Sequence, residues 1–393
     1  MIPKGALDGL TILDLSRILA GPTCTQLLGD LGAEVIKIEN PKSGGDDTRG
    51  WGPPFVNGVD GEKTDLSAYF MCANRNKLSV SIDIATEEGQ QTVKALAATA
   101  DVVIENFKPD GLVKYGLDHA SMLKEHPHLI YCSISGFGQT GPNREKPGYD
   151  LMAQGYGGIM SLTGEPEGQP MKVAVGIADV VCGLYSTIGI LAALRHRDQT
   201  GEGQHIDVAL VDTQVSWLIN EGVAHLTTGK PRPRRGNEHA TIVPYQTFKT
   251  SDGHVLVAVG NDSQYARFCD YLGRPDLAEG ENAVNANRVT NRAALIAEYE
   301  AELAKRTMAD VIAGLEARKV PVGPVNTLEQ VFTSEQVAAR DMKIEMARDD
   351  VENGHVKLIG NPLNLSKTPV TYRHAPPRFG QDTDEVLGKL DKG

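Results

Sequence analysis

The sequence predicts an α/β protein built on a parallel sheet with crossover helices, and three observations carry that expectation. Short β-branched runs alternate with helical segments through the first 140 residues. The first two of these runs flank one helical segment, a βαβ unit. A later apolar stretch, opened by a single aspartate, has the length of a buried helix.

In chain order, strands are predicted over residues 10–15, 34–39, 78–84, 101–105 and 129–133. Between the first two, Gly21-Pro22 breaks the chain and residues 23–31 have helical spacing, with Pro22 suited to the first helical position. No G-x-G-x-x-G follows the first strand, so a nicotinamide or flavin cofactor is not expected. A doubly wound sheet still offers a nucleotide site at the C-terminal ends of its strands.

From Ser135 the glycine density rises through Gly136, Gly138, Gly141, Gly148, Gly155, Gly157 and Gly158, which predicts a loop layer where backbone can approach a ligand closely. Asp179 then opens the apolar segment 180–194, closed by Arg195-His196-Arg197. Another strand is predicted over 205–211. Beyond Lys230-Pro-Arg-Pro-Arg-Arg235-Gly236 the character changes. A strand at 253–259 and helices over 292–303 and 308–317, the last opened by Thr307 with Asp310 three residues on, predict a second domain. The expected division is 1–224 as a large domain, 225–325 as a small α+β domain, and 326–393 returning to the first, since so short a tail cannot build its own core.

Composition excludes several classes. With 393 residues and 40% hydrophobic content the chain can fill a large core, and its longest apolar stretch is too short and too interrupted to span a bilayer. The N-terminus lacks the pattern of a signal peptide, so the expected location is the cytoplasm. Five separated cysteines fit core positions, with neither zinc-binding nor disulfide spacing. A net charge of −12 argues against nucleic acid. The catalytic patterns G-x-S-x-G, H-E-x-x-H and the P-loop are missing, and no metal site is expected.

The chemistry narrows to Asp179, a carboxylate in otherwise apolar surroundings. It can cap the following helix or act as a nucleophile kept ionised at a helix start. Lys42-Ser-Gly-Gly-Asp-Asp-Thr-Arg49-Gly-Trp51, Asn74-Arg75-Asn-Lys77 and Glu105-Asn106-Phe107-Lys108 follow predicted strands. Each reads either as an ordinary turn or as part of a nucleotide contact.

Taken in order, Leu13-Asp-Leu-Ser-Arg-Ile-Leu-Ala-Gly-Pro22, Gly32-Ala-Glu-Val-Ile-Lys-Ile-Glu39, Asn74-Arg-Asn-Lys77, Asp101-Val-Val-Ile-Glu-Asn-Phe107 and Gly136-Phe-Gly-Gln-Thr-Gly-Pro142 resemble the family III CoA-transferases, the CaiB/BaiF or formyl-CoA transferase type. So do Gly148-Tyr-Asp-Leu-Met-Ala-Gln154, Gly176-Ile-Ala-Asp179, Thr200-Gly-Glu-Gly-Gln204, Val322-Gly-Pro324 and Asp382-Thr-Asp-Glu-Val-Leu387. The resemblance implies a Rossmann-like large domain, a small central domain and an interlocked homodimer. It makes Asp179 the nucleophile that carries the acyl group as an anhydride and then CoA as a thioester, with acyl-CoA and a free carboxylic acid as partners and no resident cofactor.

It also places CoA contacts at Arg17, Ile18, Leu19 and Ala20, at Ile82, Asp83, Ile84 and Ala85, and at Asn106, Phe107, Lys114 and Tyr115. Lys146 and Tyr149 fall at the pantetheine or acyl end. Lys108 lies beside this set, while Lys42 and Arg75 are candidates to replace missing phosphate-binding arginines. The family's closable loop maps onto Gly236, Asn237, Glu238 and His239. The segment from Arg235 to Gln246 looks most like members using succinyl-CoA and a second dicarboxylate, with Arg234, Arg235 and His239 able to hold the distal carboxylate. The rival activities are a 2-methylacyl-CoA racemase, which needs a histidine where Tyr149 stands, and a CoA-binding protein without catalysis.

Overall fold

A computed structural model describes residues 5–390. The chain divides into two compact units. One comprises residues up to Ile159, Lys172–Lys230 and the segment from Gln336 onward; the other comprises Met160–Met171 and Pro231–Glu335. The expected boundaries at 225 and 325 therefore move to 230 and 335. The short stretch 160–171, expected in the large domain, belongs to the smaller unit.

The larger unit is built on a six-stranded, wholly parallel sheet, with two antiparallel strand pairs outside it, Phe55–Asn57 with Lys63–Ser67 and Lys343–Ala347 with His355–Ile359. The sheet's strands are β1 (Thr11–Asp14), β2 (Glu34–Glu39), β3 (Leu78–Ser81), β4 (Val102–Glu105), β5 (Ile130–Ser135) and β6 (Gln204–Ala209). They lie in the order β3-β2-β1-β4-β5-β6. The order reverses between β1 and β4, and such a switch point opens a crevice beyond the strand ends.

Both faces of the sheet are covered, so its central strands carry apolar side chains to both sides, with polar residues gathered toward their C-terminal ends. On one face Ile12, Val35, Ile104 and Cys132 pack on helices α1 (Ala20–Asp30) and α5 (Ile177–Thr200). On the other, Leu13, Val80, Val103 and Tyr131 pack on α2 (Glu87–Ala98), α3 (His119–Glu125) and α10 (Thr383–Leu390), the last contributing Val386. The end of the chain thus completes the core begun at its start.

Several local expectations are corrected. Pro22 is the third residue of α1, still within the turn whose N–H groups lack partners, so a proline is tolerated there. The glycine-rich layer contains helix α4 (Asp150–Tyr156). Helix α5 is not wholly buried: Leu184, Tyr185 and Ile188 form an exposed apolar row. At 24 residues it is long and apolar enough, by length and composition, to cross a membrane, and half of its most apolar window is buried inside the fold. Gly183 permits its approach to α1, since a Cβ there would come within 2.7 Å of the Ala20 carbonyl oxygen. Four of the five cysteines are buried, whereas Cys72 is exposed.

The smaller unit has an antiparallel sheet of β7 (Tyr245–Lys249), β8 (His254–Ala258) and β9 (Val322–Pro324). It shares a core with helices α7 (Asp262–Leu272), α8 (Arg292–Leu303) and α9 (Met308–Glu316). Thr307 caps α9 by accepting from the Asp310 N–H.

Candidate active site

Two adjoining cavities lie at the switch point. One, of about 280 Å³, is lined by the turn after β1, by Asn40, Ser43 and Asp47 after β2, by Ile82–Ala85 after β3, and by Phe107, Lys114 and Tyr115. The other, of about 390 Å³, is lined by Arg17–Ala20, Asn106–Pro109, Ser135, Gly136, Lys146–Asp150, Leu210 and Asp179. Arg17, Phe107 and Gly111 border both.

The wall after β1 is locked in an uncommon conformation. Ile18, a β-branched residue, has φ = 71°, a region such side chains rarely adopt. Its N–H donates to the buried Asp46 carboxylate, while Asn106 accepts from the Arg17 N–H and donates to the Arg17 carbonyl. Three hydrogen bonds thus hold a strained residue against the cavity. On the opposite wall Gly136 and Gly148 touch back to back, because a Cβ on either would lie within 2.4 Å of the other's Cα.

Asp179 stands in the first turn of α5, not at its N-cap, which is Gly176. Its half-buried carboxylate has no hydrogen-bond or ion-pair partner among the described residues. Burial and the neighbouring Asp150 push it up to about 7. The expectation of a carboxylate held ionised by the helix start is therefore corrected. Asp150 occupies that start instead, accepting the Ala178 N–H through Oδ1 and the Gln154 amide through Oδ2, while Gln154 accepts the Val173 N–H. Asp150 uses the favourable end of the helix dipole and leaves Asp179 next to a second negative charge.

The predicted contacts divide. Arg17, Ile18, Leu19, Ala20, Asn106, Phe107, Lys108, Lys146 and Tyr149 line the cavity with Asp179, and Ile82, Asp83, Ile84, Ala85, Lys114 and Tyr115 line the adjoining one. Lys42 is exposed and pairs with Asp83 at 2.8 Å, so it reaches the rim through that residue. Arg75 does not contribute. It is buried, holds Asp30 through two nitrogens and donates to the Ile359 carbonyl. Arg49 is likewise consumed by Glu39 and Asp65.

Gly236, Asn237, Glu238 and His239 belong to the smaller unit. The Gly236 N–H donates to the Gly164 carbonyl, Asn237 to Thr247 Oγ1, Glu238 faces Arg292, and the His239 ring lies 5.0 Å from that of Tyr245. Arg234, expected to hold a carboxylate, donates instead to the carbonyls of Glu165, Pro166 and Gly168. Sequence reasoning missed Asp46 and Asp150 as site residues. Asp150 lay in view inside Gly148-Tyr149-Asp150; for Asp46 there was no signal beyond its place in a polar loop.

A family model described as CoA-transferase family III matches residues 7–383. The chain belongs to CoA-transferase family III.

This transferase, an enzyme that uses CoA thioesters as substrates, is 45% identical over 389 residues to the succinate–glutarate CoA-transferase of Agrobacterium fabrum, covering 99% of this chain and 96% of that one. It is 40% identical to the succinyl-CoA:glutarate CoA-transferase of Homo sapiens, covering 98% and 86%. A crystal structure of a CaiB/BaiF family protein from Brucella suis superimposes with a TM-score of 0.88 at 46% identity, covering 99% of this transferase and all of that chain.

Proposed function

We propose that the transferase moves CoA from succinyl-CoA, or another dicarboxyl-CoA, to a free dicarboxylate, with Asp179 as the nucleophile. The unpartnered Asp179 carboxylate facing a cavity at the sheet's switch point carries this reading. The dicarboxylate preference draws on the substrates named for the relatives.

The ionised carboxylate attacks the thioester carbonyl; the C–S bond breaks and CoA leaves as thiolate, giving a mixed aspartyl anhydride. The thiolate then attacks the aspartyl carbonyl and the donor acid leaves. The acceptor carboxylate displaces CoA from the resulting aspartyl thioester, forming a second anhydride, and the thiolate attacks the acceptor's acyl carbon to release new acyl-CoA and Asp179. One thioester replaces another, so no external energy source enters. A carboxylate of raised pKa is the more reactive once ionised. In this reading the cavity lined by Lys114 and Tyr115 takes the nucleotide, and Arg17, Lys108 and Lys146 supply the cations nearer Asp179.

The protein is read as a cytoplasmic homodimer whose second copy covers the exposed row Leu184, Tyr185 and Ile188, together with Ile219, Val223 and Leu226 on helix α6 (Ile219–Thr228). Light scattering at micromolar concentration tests this, and a monomer would refute it. For the chemistry, the protein is mixed with succinyl-CoA, quenched with hydroxylamine and digested. A hydroxamate on Asp179, lost in Asp179→Ala, is expected; full transfer activity in that variant would sink the mechanism. A screen of free acids with succinyl-CoA as donor tests the preference, which activity on monocarboxylates alone would refute.

A further inference from the structure

Behind the CoA-lining turn lies a polar row that the proposed chemistry does not use. Glu105, at the end of β4, stands side by side with Ser133 and Asp207 in the C-terminal halves of β5 and β6, in register with one another. Glu105 and Ser133 are 6% and 1% exposed. Glu105 Oε2 accepts the Phe107 N–H at 2.7 Å, and Ser133, its register partner on β5, stands beside the carboxylate and favours its ionised form. Ser133 Oγ lies 3.0 Å from His205 Nε2, and the His205 ring stacks on His119 with centroids 3.8 Å apart and planes 5° from parallel. A separate cavity of about 310 Å³, lined by Glu105, Ser133 and His119 among others, gives this row its own path to protons.

We propose that Glu105 is a positioning residue for the CoA-binding turn Asn106–Lys108, acting as the inner end of a reversible hydrogen-bond chain Glu105–Ser133–His205 that couples CoA affinity to pH. The inference rests on the reading that CoA binds against Phe107 and Asn106. When Glu105 is ionised, His205 Nε2–H donates to Ser133 Oγ, and Ser133 donates to the carboxylate. The bond from the Phe107 N–H is then charge-assisted. When Glu105 gains a proton, it donates to Ser133, Ser133 donates to His205 Nε2, and His205 carries its proton on Nδ1. Atoms and charge balance with one proton taken from solvent, and the bond to Phe107 loses its charge.

The groups around Glu105 favour a switch in the neutral range. Burial is the main cause that raises it to about 7, against Ser133 and the Phe107 N–H, with the Asp207 charge adding to the rise. On β5 it faces Ser133 and Tyr131, on β6 His205 and Asp207, on α3 and its cap His119 and Asp118, and past its own strand Lys108. Burial and His119 hold His205 down to about 4, so it stays neutral and can act as donor or acceptor.

The test is calorimetric titration of the full chain with free CoA at pH 6, 7 and 8. If CoA binding lowers the Glu105 pKa by one unit, wild-type affinity falls roughly fivefold from pH 8 to 6, beyond the change that CoA's own phosphates cause. Glu105→Gln, neutral at every pH, reports that phosphate contribution alone. It should lose affinity at pH 8 and keep kcat within about twofold at saturating substrate. Ser133→Ala cuts the chain while keeping Glu105, and should move the wild-type pH dependence to higher pH. Overlapping pH curves for wild type and Glu105→Gln would overturn the coupling, as would a uniform loss of affinity at all three pH values. If Glu105→Gln fails to fold, an unmoved Ser133→Ala curve overturns it. Absence of CoA binding by the wild type would remove the underlying site reading, a different failure from either of these.

Discussion

Two groups of carboxylates stand at or beneath the same pair of cavities and behave oppositely. Under the wall after β1, Asp14, Glu39 and Asp46 are buried and each has cationic partners: Lys77 at 3.2 Å from Asp14, Arg49 at 2.7 Å from Glu39, and Lys37 at 2.9 Å from Asp46. Burial opposes their charge, but the partners override it, and all three are held below the usual carboxylate range, Asp46 at about 2. At the far end Asp179 has no cation, faces Asp150 and is raised to about 7. The contrast teaches that the partner, more than the depth of burial, separates a carboxylate that fixes the structure from one left available for chemistry.

The comparison breaks most decisively at Asp179. Asp179→Asn should lower transfer by roughly 10⁴-fold or more while leaving the circular dichroism spectrum unchanged. The complementary change, Asp46→Asn, removes the ion-pair partner of buried Lys37 and leaves it the Ser16 carbonyl and the fields of Asp14 and Glu39, and should cost about 3 kcal/mol in urea unfolding. A stability unchanged from wild type would show that the ion pair is dispensable. Next comes pH. Transfer should fall as pH drops below about 7, where Asp179 takes up its proton, and Asp150→Asn should move that limb downward by part of the shift, since burial is the larger cause.

A smaller effect follows from linkage. Because the folded-state pKa of Asp179 is raised, protonation favours the fold. That contribution is fully present below the unfolded value near 4 and is lost as pH rises through about 7. Asp179→Asn should therefore melt above the wild type at pH 8 and together with it at pH 4, and the opposite order would contradict the assigned sign. The smallest effect is at Lys42. Its exposed pair with Asp83 should contribute nothing measurable to the melting temperature, so Lys42→Ala tests only the rim of the site.

The sheet was legible because a parallel strand covered on both faces is rich in branched apolar residues, as Val35, Ile36 and Ile38 are in β2; the buried Lys37 and Glu39 between and after them break that pattern. Asp179 was legible because a carboxylate at the head of an apolar helix has few explanations. What stayed hidden depended on pairings between distant positions. Arg75 looked available for a phosphate until the fold brought Asp30, 45 residues away, against its guanidinium. Asp150 gave no sign that it would cap a helix starting 27 residues later, because that bond exists only once α4 and α5 have packed. The left-handed turn at Ile18 ran against its residue type, and only Asp46 and Asn106 explain it.

The joining of Leu13 and Val386 in one core also sets the timing of biosynthesis. At roughly 5–20 residues per second, a ribosome delivers Val386 some 20 to 75 seconds after Leu13. Until then the sheet's second face lacks its last cover, whereas every residue of the smaller unit's core has already emerged. The central insertion can mature first, and the polypeptide around it closes only once Val386 has been made.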